Sequence, residues 1–278
     1  MNDRVSSTAS HGHSCFAAWD LHLARNPLWI AYALAIVALP TVTGLAQVGS
    51  TEIDAPITLF ELGFEYLTLL FPLLAVGLHV FAFSSEIADR WIVYVRPRAD
   101  IRRYLLARLG AGALLSFGVP ALAVGLWGLV AFGIAPHLGL APNGYGQPLS
   151  PDELIRLTTR AATFSQLAHA GTAVYVLVYA AWVGLWGAVF SAVAFLVLLV
   201  ADNRLLAFTT PLVLYWLDNL VLSNLGLEQL RTGTAVFPFA ITQQPIALAA
   251  IPVLFWLLLI AVLGGALTRR RFEVAALL

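Results

Sequence analysis

The stretch "GTAVYVLVYAAWVGLWGAVFSAVAFLVLLV", residues 171–200, contains no Asp, Glu, Lys, Arg or His. A helix crosses the hydrocarbon of a bilayer with about 20 mostly apolar residues, and this run exceeds that length. A barrel strand would alternate apolar and polar side chains over about ten residues, and this run does not alternate. An isolated strand would also leave its backbone unpaired in lipid, so the stretch reads as a transmembrane helix. Working outward, the same test selects segments at about 28–47, 60–83, 104–134, 205–222 and 245–268. The chain is therefore expected to be an all-α polytopic membrane protein with six transmembrane helices. One transmembrane domain occupies 28–268, with tails at 1–27 and 269–278. No span resembles another closely enough to indicate an internal repeat.

Composition agrees. The 278 residues are 60% hydrophobic and only 11% charged, whereas soluble domains carry about 25% charged residues. Acids and bases balance at fifteen each, so no general attraction to nucleic acid is implied. Every cation is Arg. Without lysine the chain cannot form a standard P-loop, whose GK[ST] lysine holds the phosphates, nor a Schiff base. Cys15 is the only cysteine, which rules out an intrachain disulfide or a cysteine-rich metal site. His11, His13 and Cys15 are metal ligands by type, but they sit in a polar tail and no metal is expected. There is no HExxH, no GxSxG and no paired Asp-rich motif. The first apolar run follows a polar lead and lacks a small-residue cleavage site, so it reads as a retained span.

The Arg distribution gives the orientation. With six spans both termini share a side. That side holds Arg4, Arg25, Arg90, Arg96, Arg98, Arg102, Arg103, Arg108, Arg204 and Arg269 to Arg271. The other side holds Arg156, Arg160 and Arg231. Both termini and the 84–104 loop are thus expected in the cytoplasm. Phe16, Trp19 and Leu23 fall on one helical face before the first span, as in an interfacial amphipathic helix. On the outer side, in loop 135–170, Ser150, Pro151 and Glu153 form the pattern of a capped helix start. Leu154, Leu157, Ala161, Phe164 and Ala168 follow at helical spacing. The link 223–244 is apolar enough to re-enter the membrane shallowly.

Charged groups concentrate in "SSEIADRWIVYVRPRADIRRYLLARL", residues 84–109. Pro97 prevents one continuous helix and pushes Arg96 towards an extended conformation. Before it, Ile87, Trp91, Tyr94 and Val95 share a helical face, with Glu86, Asp89, Arg90 and Arg96 in more polar directions. A positive-inside anchor needs only Arg. The mixture of both charge signs with Trp91 and Tyr94 suits docking to another protein.

This layout resembles the membrane subunits of ABC type-2 transporters. In that family a Glu, an Arg-Pro and a basic "YLL-R" run link the second and third spans. The matching residues are Glu86, Arg96-Pro97, Arg103, and Tyr104 to Arg108. "ADNRLLAFTTPLVLYW", residues 201–216, is similar to the family's second inner turn. One departure is the "IADRW" that follows Glu86, where many relatives carry a Gly. The resemblance implies a permease subunit of an ATP-driven exporter in the bacterial inner membrane. It implies a dimer, homodimeric or of related chains, seated on two copies of an ABC ATP-binding subunit that hold the ATP and Mg. A cytoplasmic coupling helix in the 84–104 loop would make the contact through Glu86, Asp89, Arg90, Trp91, Arg96 and Arg98. The chain itself would be no enzyme and carry no cofactor. The rival readings are a membrane-embedded lipid-modifying enzyme and a secondary transporter.

Ionisable side chains within spans are functional candidates by default. Glu61 and Glu65 are four apart, which places them on one face near the outer end of the second span. His79 lies on that span nearer the cytoplasm, and Asp218 lies near the outer end of the fifth. Glu65, His79 and Asp218 are candidates for the substrate path. The competing expectation puts the carboxylates at headgroup depth and makes His79 a hydrogen-bonded packing residue.

Overall fold

Asn26 and Pro27 start the first helix: the Asn26 side chain accepts the Leu28 N–H at 3.0 Å, and proline needs no donor partner at the first helical position. The computed structural model describes residues 26–51, 53, 55–80, 83, 101–140, 150–201, 203–239 and 243–269. The helices are α1 (Pro27–Ala46), α2 (Pro56–Leu62), α3 (Leu67–Gly77), α4 (Ile101–Gly128), α5 (Pro151–Arg160), α6 (Thr172–Ala201), α7 (Arg204–Asn224), α8 (Thr232–Val236) and α9 (Ile246–Arg269). Helix α4 runs on through a π turn, Leu129–Ile134, into a short 3-10 segment, Ala135–Leu138. The described residues form no strand.

Five helices are long and apolar enough to cross a membrane: α1, α4 with its extension, α6, α7 and α9. Helices α2 and α3 meet that test only as a pair, bent by 59°. Large apolar side chains cover the outside, among them Leu114 and Leu122 on α4, Val213 and Leu220 on α7, and Leu254 and Leu258 on α9. Water would penalise such a surface and lipid would not, which marks the chain as a membrane protein.

Helix α6 is the hub. Its most apolar stretch is 72% buried, against 33% or less for the other four. It packs most extensively on α4, and glycine explains how. Gly184 faces the Phe117 carbonyl, and Gly187 abuts the Ser116 carbonyl. Pro120 has no N–H to offer Ser116, four residues back, so that oxygen lacks its helical donor. The bare Gly187 Cα is the group set against it, an approach suited to a weak Cα–H···O contact.

The segment expected as the second span differs from the continuous helix expected over 60–83. It breaks at residues 63–66, and the freed carbonyls are taken by side chains of other helices. The Trp127 indole N–H donates to Phe60 O at 2.9 Å, and the Thr43 hydroxyl donates to Gly63 O at 2.6 Å. The Gln47 amide donates to Leu62 O at 3.3 Å. Pro72 leaves Thr68 O without a donor, and the Tyr215 hydroxyl supplies one at 2.8 Å. Further along, Tyr32 donates to Leu74 O, Ser116 to Ala75 O and Trp29 to Leu78 O, each at 2.9 Å. Unpaired backbone in hydrocarbon costs several kcal/mol per group, in order of magnitude. These donors are what make the break sustainable. Gly63 also has no room for a side chain, because the Trp127 indole lies against its Cα.

On the loop side, the Ser150 hydroxyl accepts the Glu153 N–H at 3.3 Å and the Glu153 carboxylate accepts the Ser150 N–H at 3.1 Å, completing the capping box. The Ser150 hydroxyl, and then its N–H, hold the Glu153 carboxyl below its usual range. The amphipathic spacing suggested a longer helix than forms. Helix α5 stops at Arg160, where the Gln243 amide takes Thr159 O at 2.7 Å and Ala162 O at 3.1 Å. Within the link 223–244, Thr232, Ala235, Val236 and Phe237 are buried.

Candidate functional site

Glu86, Asp89, Arg90, Trp91, Arg96 and Arg98 lie outside the described residues. The three substrate-path candidates are described, and each has a distinct setting. Glu65 lies in the break of the second span, where it is exposed. It does not continue the helix that bears Glu61, so the shared face expected from their spacing is interrupted by residues 63–66.

Asp218 is engaged by backbone. Its Oδ2 accepts the Thr232 N–H at 2.7 Å, and Asn219 Oδ1 accepts the Gly233 N–H at 3.0 Å. Adjacent side chains on α7 therefore satisfy the free amides at the start of α8. The far end of α8 is held as firmly: the Trp182 indole donates to Ala235 O at 2.7 Å, and the Tyr179 hydroxyl to Val236 O at 3.1 Å. The Trp256 indole donates to the Thr232 hydroxyl at 2.9 Å. Replacing a capping side chain by alanine costs about 0.5–2 kcal/mol. Asp218→Ala is expected to lower the melting temperature of the purified protein, while Asp218→Asn, which keeps an acceptor oxygen, stays close to wild type. Equal melting of all three would show that the cap does not hold α8.

His79 sits among aromatic rings, 4% exposed. It stacks on Phe83 and Phe195, with ring centroids 6.0 and 5.9 Å away. Its ring lies directly on Gly112, where a Cβ would collide with it. Its Nε2 has no hydrogen-bond partner among the described residues. One turn from Gly112, the buried Arg108 guanidinium lies over the Tyr104 ring at 5.8 Å. His79 is separated from Glu65 by the whole of α3, so the three candidates do not converge on one point.

A different group of side chains does converge. Phe60 on α2, Phe132 on the π turn and Tyr175 on α6 touch one another, with centroid separations of 5.3, 5.7 and 6.1 Å. Tyr179 and Phe64 extend the cluster, 5.9 and 5.0 Å from Phe60. Glu61, next to Phe60, is half-buried, and its Oε1 is shielded from solvent without a hydrogen-bond partner among the described residues. The Tyr175 hydroxyl is likewise buried and has no hydrogen-bond partner among the described residues. Phe60, at the end of α2 before the break, and Phe132, on the π turn, thus both pack against Tyr175. π turns recur at functional sites. Sequence reading noticed Glu61 but not Tyr175, which carries no motif that would single it out within its apolar run.

Among the described residues no three His, Cys, Asp or Glu side chains gather as a metal ion would require. Compared with protein-family models, characterised proteins and solved structures, the chain matches none.

Proposed function

We propose that this chain is the membrane-embedded permease subunit of a two-component ABC exporter, working as a dimer on two copies of a separate ATP-binding subunit. The observation that carries the reading is the segment 84–109. Its Glu86, Arg96-Pro97 and "RYLLAR" run lies between the second and third apolar segments and resembles the family's link. The absence of lysine supports it, since ATP hydrolysis then belongs to another chain. The Arg distribution supports six spans, with the bent α2–α3 pair as the second and both termini in the cytoplasm of a bacterial inner membrane. In that frame the 84–104 loop is cytoplasmic, and Glu61 lies towards the outer face.

A secondary transporter is the second reading. The broken second span and the inward-folded α8 favour it, because discontinuous helices build substrate sites in such proteins. One experiment separates the two. Purified alone, the chain is expected to hydrolyse no ATP. Co-expressed with its cognate ATP-binding subunit, it is expected to co-purify with that subunit and to move substrate only with ATP. Substrate movement driven by an ion gradient, without the ATP-binding subunit, would establish the second reading instead.

A further inference from the structure

Helix α5 stops at Arg160, and the irregular turn that follows goes inside: Ala162, Thr163, Phe164 and Ser165 are each 2% exposed or less. The turn makes bonds within itself. The Ser165 hydroxyl donates to Ala162 O at 2.7 Å and accepts the Ala162 N–H at 3.0 Å. Phe164 lies against α6, its ring centroid 5.2 Å from that of Trp182 and 5.9 Å from that of Tyr179. Those are the two α6 side chains that hold the end of α8. Residues 150–170 therefore form a cover over the junction of α6 and α8.

The cover is tied down by one side chain. The Gln243 amide, ahead of α9, donates to Thr159 O at 2.7 Å, to Ala162 O at 3.1 Å and to Ser165 Oγ at 3.3 Å. Among the described residues, every side-chain hydrogen bond between 150–170 and the rest of the chain comes from that amide. The cover joins α6 at Gly171, which has φ 125° and ψ 141°. Glycine enters that part of backbone space freely and other residues do not. A Cβ at Gly171 would meet nothing within 4 Å, so it is the backbone conformation, and not a lack of space, that calls for glycine there.

We propose that residues 150–170 are a hinged cover, latched by Gln243 and turning about Gly171, whose opening uncovers Tyr179, Trp182 and the end of α8. Opening breaks little. The Ser165 bonds travel with the turn, and the acceptors released by Gln243 pass to water, so no backbone group is left orphaned. What is lost is the Gln243 contact and the packing of Phe164. The device goes beyond the transport readings above and is the same under either of them.

The test uses the full chain in lipid nanodiscs, with Cys15→Ser so that an introduced cysteine is the only one. Thr163→Cys places a thiol in the turn, and Ser191→Cys places one within α6; both positions are 1% exposed. A permanently charged methanethiosulfonate reagent modifies only thiols that reach water. Thr163→Cys is expected to be modified steadily, and Ser191→Cys to stay unmodified. Gln243→Glu keeps the side chain's length and loses its donor N–H groups. It is expected to speed modification at 163 about tenfold or more, the equivalent of about 1.4 kcal/mol of latch, with 191 still unmodified. Gln243→Ala is expected to act in the same direction. Size-exclusion elution reports whether each variant folds, and should both Gln243 variants fail, the comparison of 163 with 191 decides. The proposal is overturned if position 163 is as inert as 191, if both are modified at the same rate, or if folded Gln243 variants are modified no faster than their parent.

Discussion

Gly187→Val is expected to leave little folded protein. Any Cβ at that position runs into the Ser116 carbonyl, a backbone atom that cannot rotate aside. Overpacking in a side-chain core costs about 1–3 kcal/mol, because neighbours find other rotamers. Here the α4 backbone itself would have to retreat along its main contact with α6, so the cost is expected to exceed about 3 kcal/mol. Gly184→Val, facing the Phe117 carbonyl at 2.7 Å, should behave similarly. Gly125→Ala is the control: it lies on the same helix as Ser116, and a Cβ there meets nothing within 4 Å. Fluorescence-detected size exclusion of detergent extracts, followed by melting of whatever elutes as a single species, measures the difference. A Gly187→Val protein that elutes and melts like wild type would show that α4 and α6 are not pressed together at this point.

The second large effect is at the charged loop. Glu86→Arg is expected to release the ATP-binding subunit or to uncouple hydrolysis from transport, with membrane insertion unchanged. Exposed ion pairs are worth only about 0–1 kcal/mol. Removing one partner of a buried, hydrogen-bonded interfacial pair costs about 2–5 kcal/mol, which at 1.4 kcal/mol per tenfold is roughly thirtyfold in affinity or more. Coupling also requires that one state of the partner hold the loop differently from another, so an altered contact affects the cycle as well as the affinity. Arg102→Ala and Arg103→Ala, in the first turn of α4, are expected to alter expression or orientation more than coupling. Retention of the ATP-binding subunit and transport, measured in the same membranes, distinguish these effects. Full coupling in Glu86→Arg, with loss in the Arg102 and Arg103 variants, would make the loop a topological anchor and place the docking surface elsewhere.

The features legible in the sequence are those set by local chemistry. An uncharged run such as 171–200 has one solution in lipid, and Ser150-Pro151 with Glu153 starts a helix by contacts within a few residues. Asn203 caps α7 in the same local way, accepting the Leu206 N–H at 3.1 Å. The break in the second span was not legible, because "ELGFEY" is compatible with a helix. It is opened by donors remote in sequence: Trp127 reaches Phe60 across 67 positions, and Thr43 reaches Gly63 across 20. The same distance hides the site. Phe60, Phe132 and Tyr175 come from three separate elements and pack together, and none of them carries a spacing pattern that foretells the others. Asp218 shows the converse. Its place near the end of a span is legible, while the Thr232 amide that its Oδ2 accepts lies 14 positions away and is not.

The central claim is that the segment between the second and third spans docks on a separate ATPase, and site-specific cross-linking tests it most directly. A photoreactive benzoylphenylalanine is placed at position 91, in exchange for Trp91, in cells that also make the cognate ATP-binding subunit. A second copy of the experiment places it at position 144, in the 135–170 loop. The account predicts a covalent adduct between this chain and the ATP-binding subunit from position 91 and none from position 144. An adduct from position 144, or none from position 91 while the two proteins still co-purify, would contradict it.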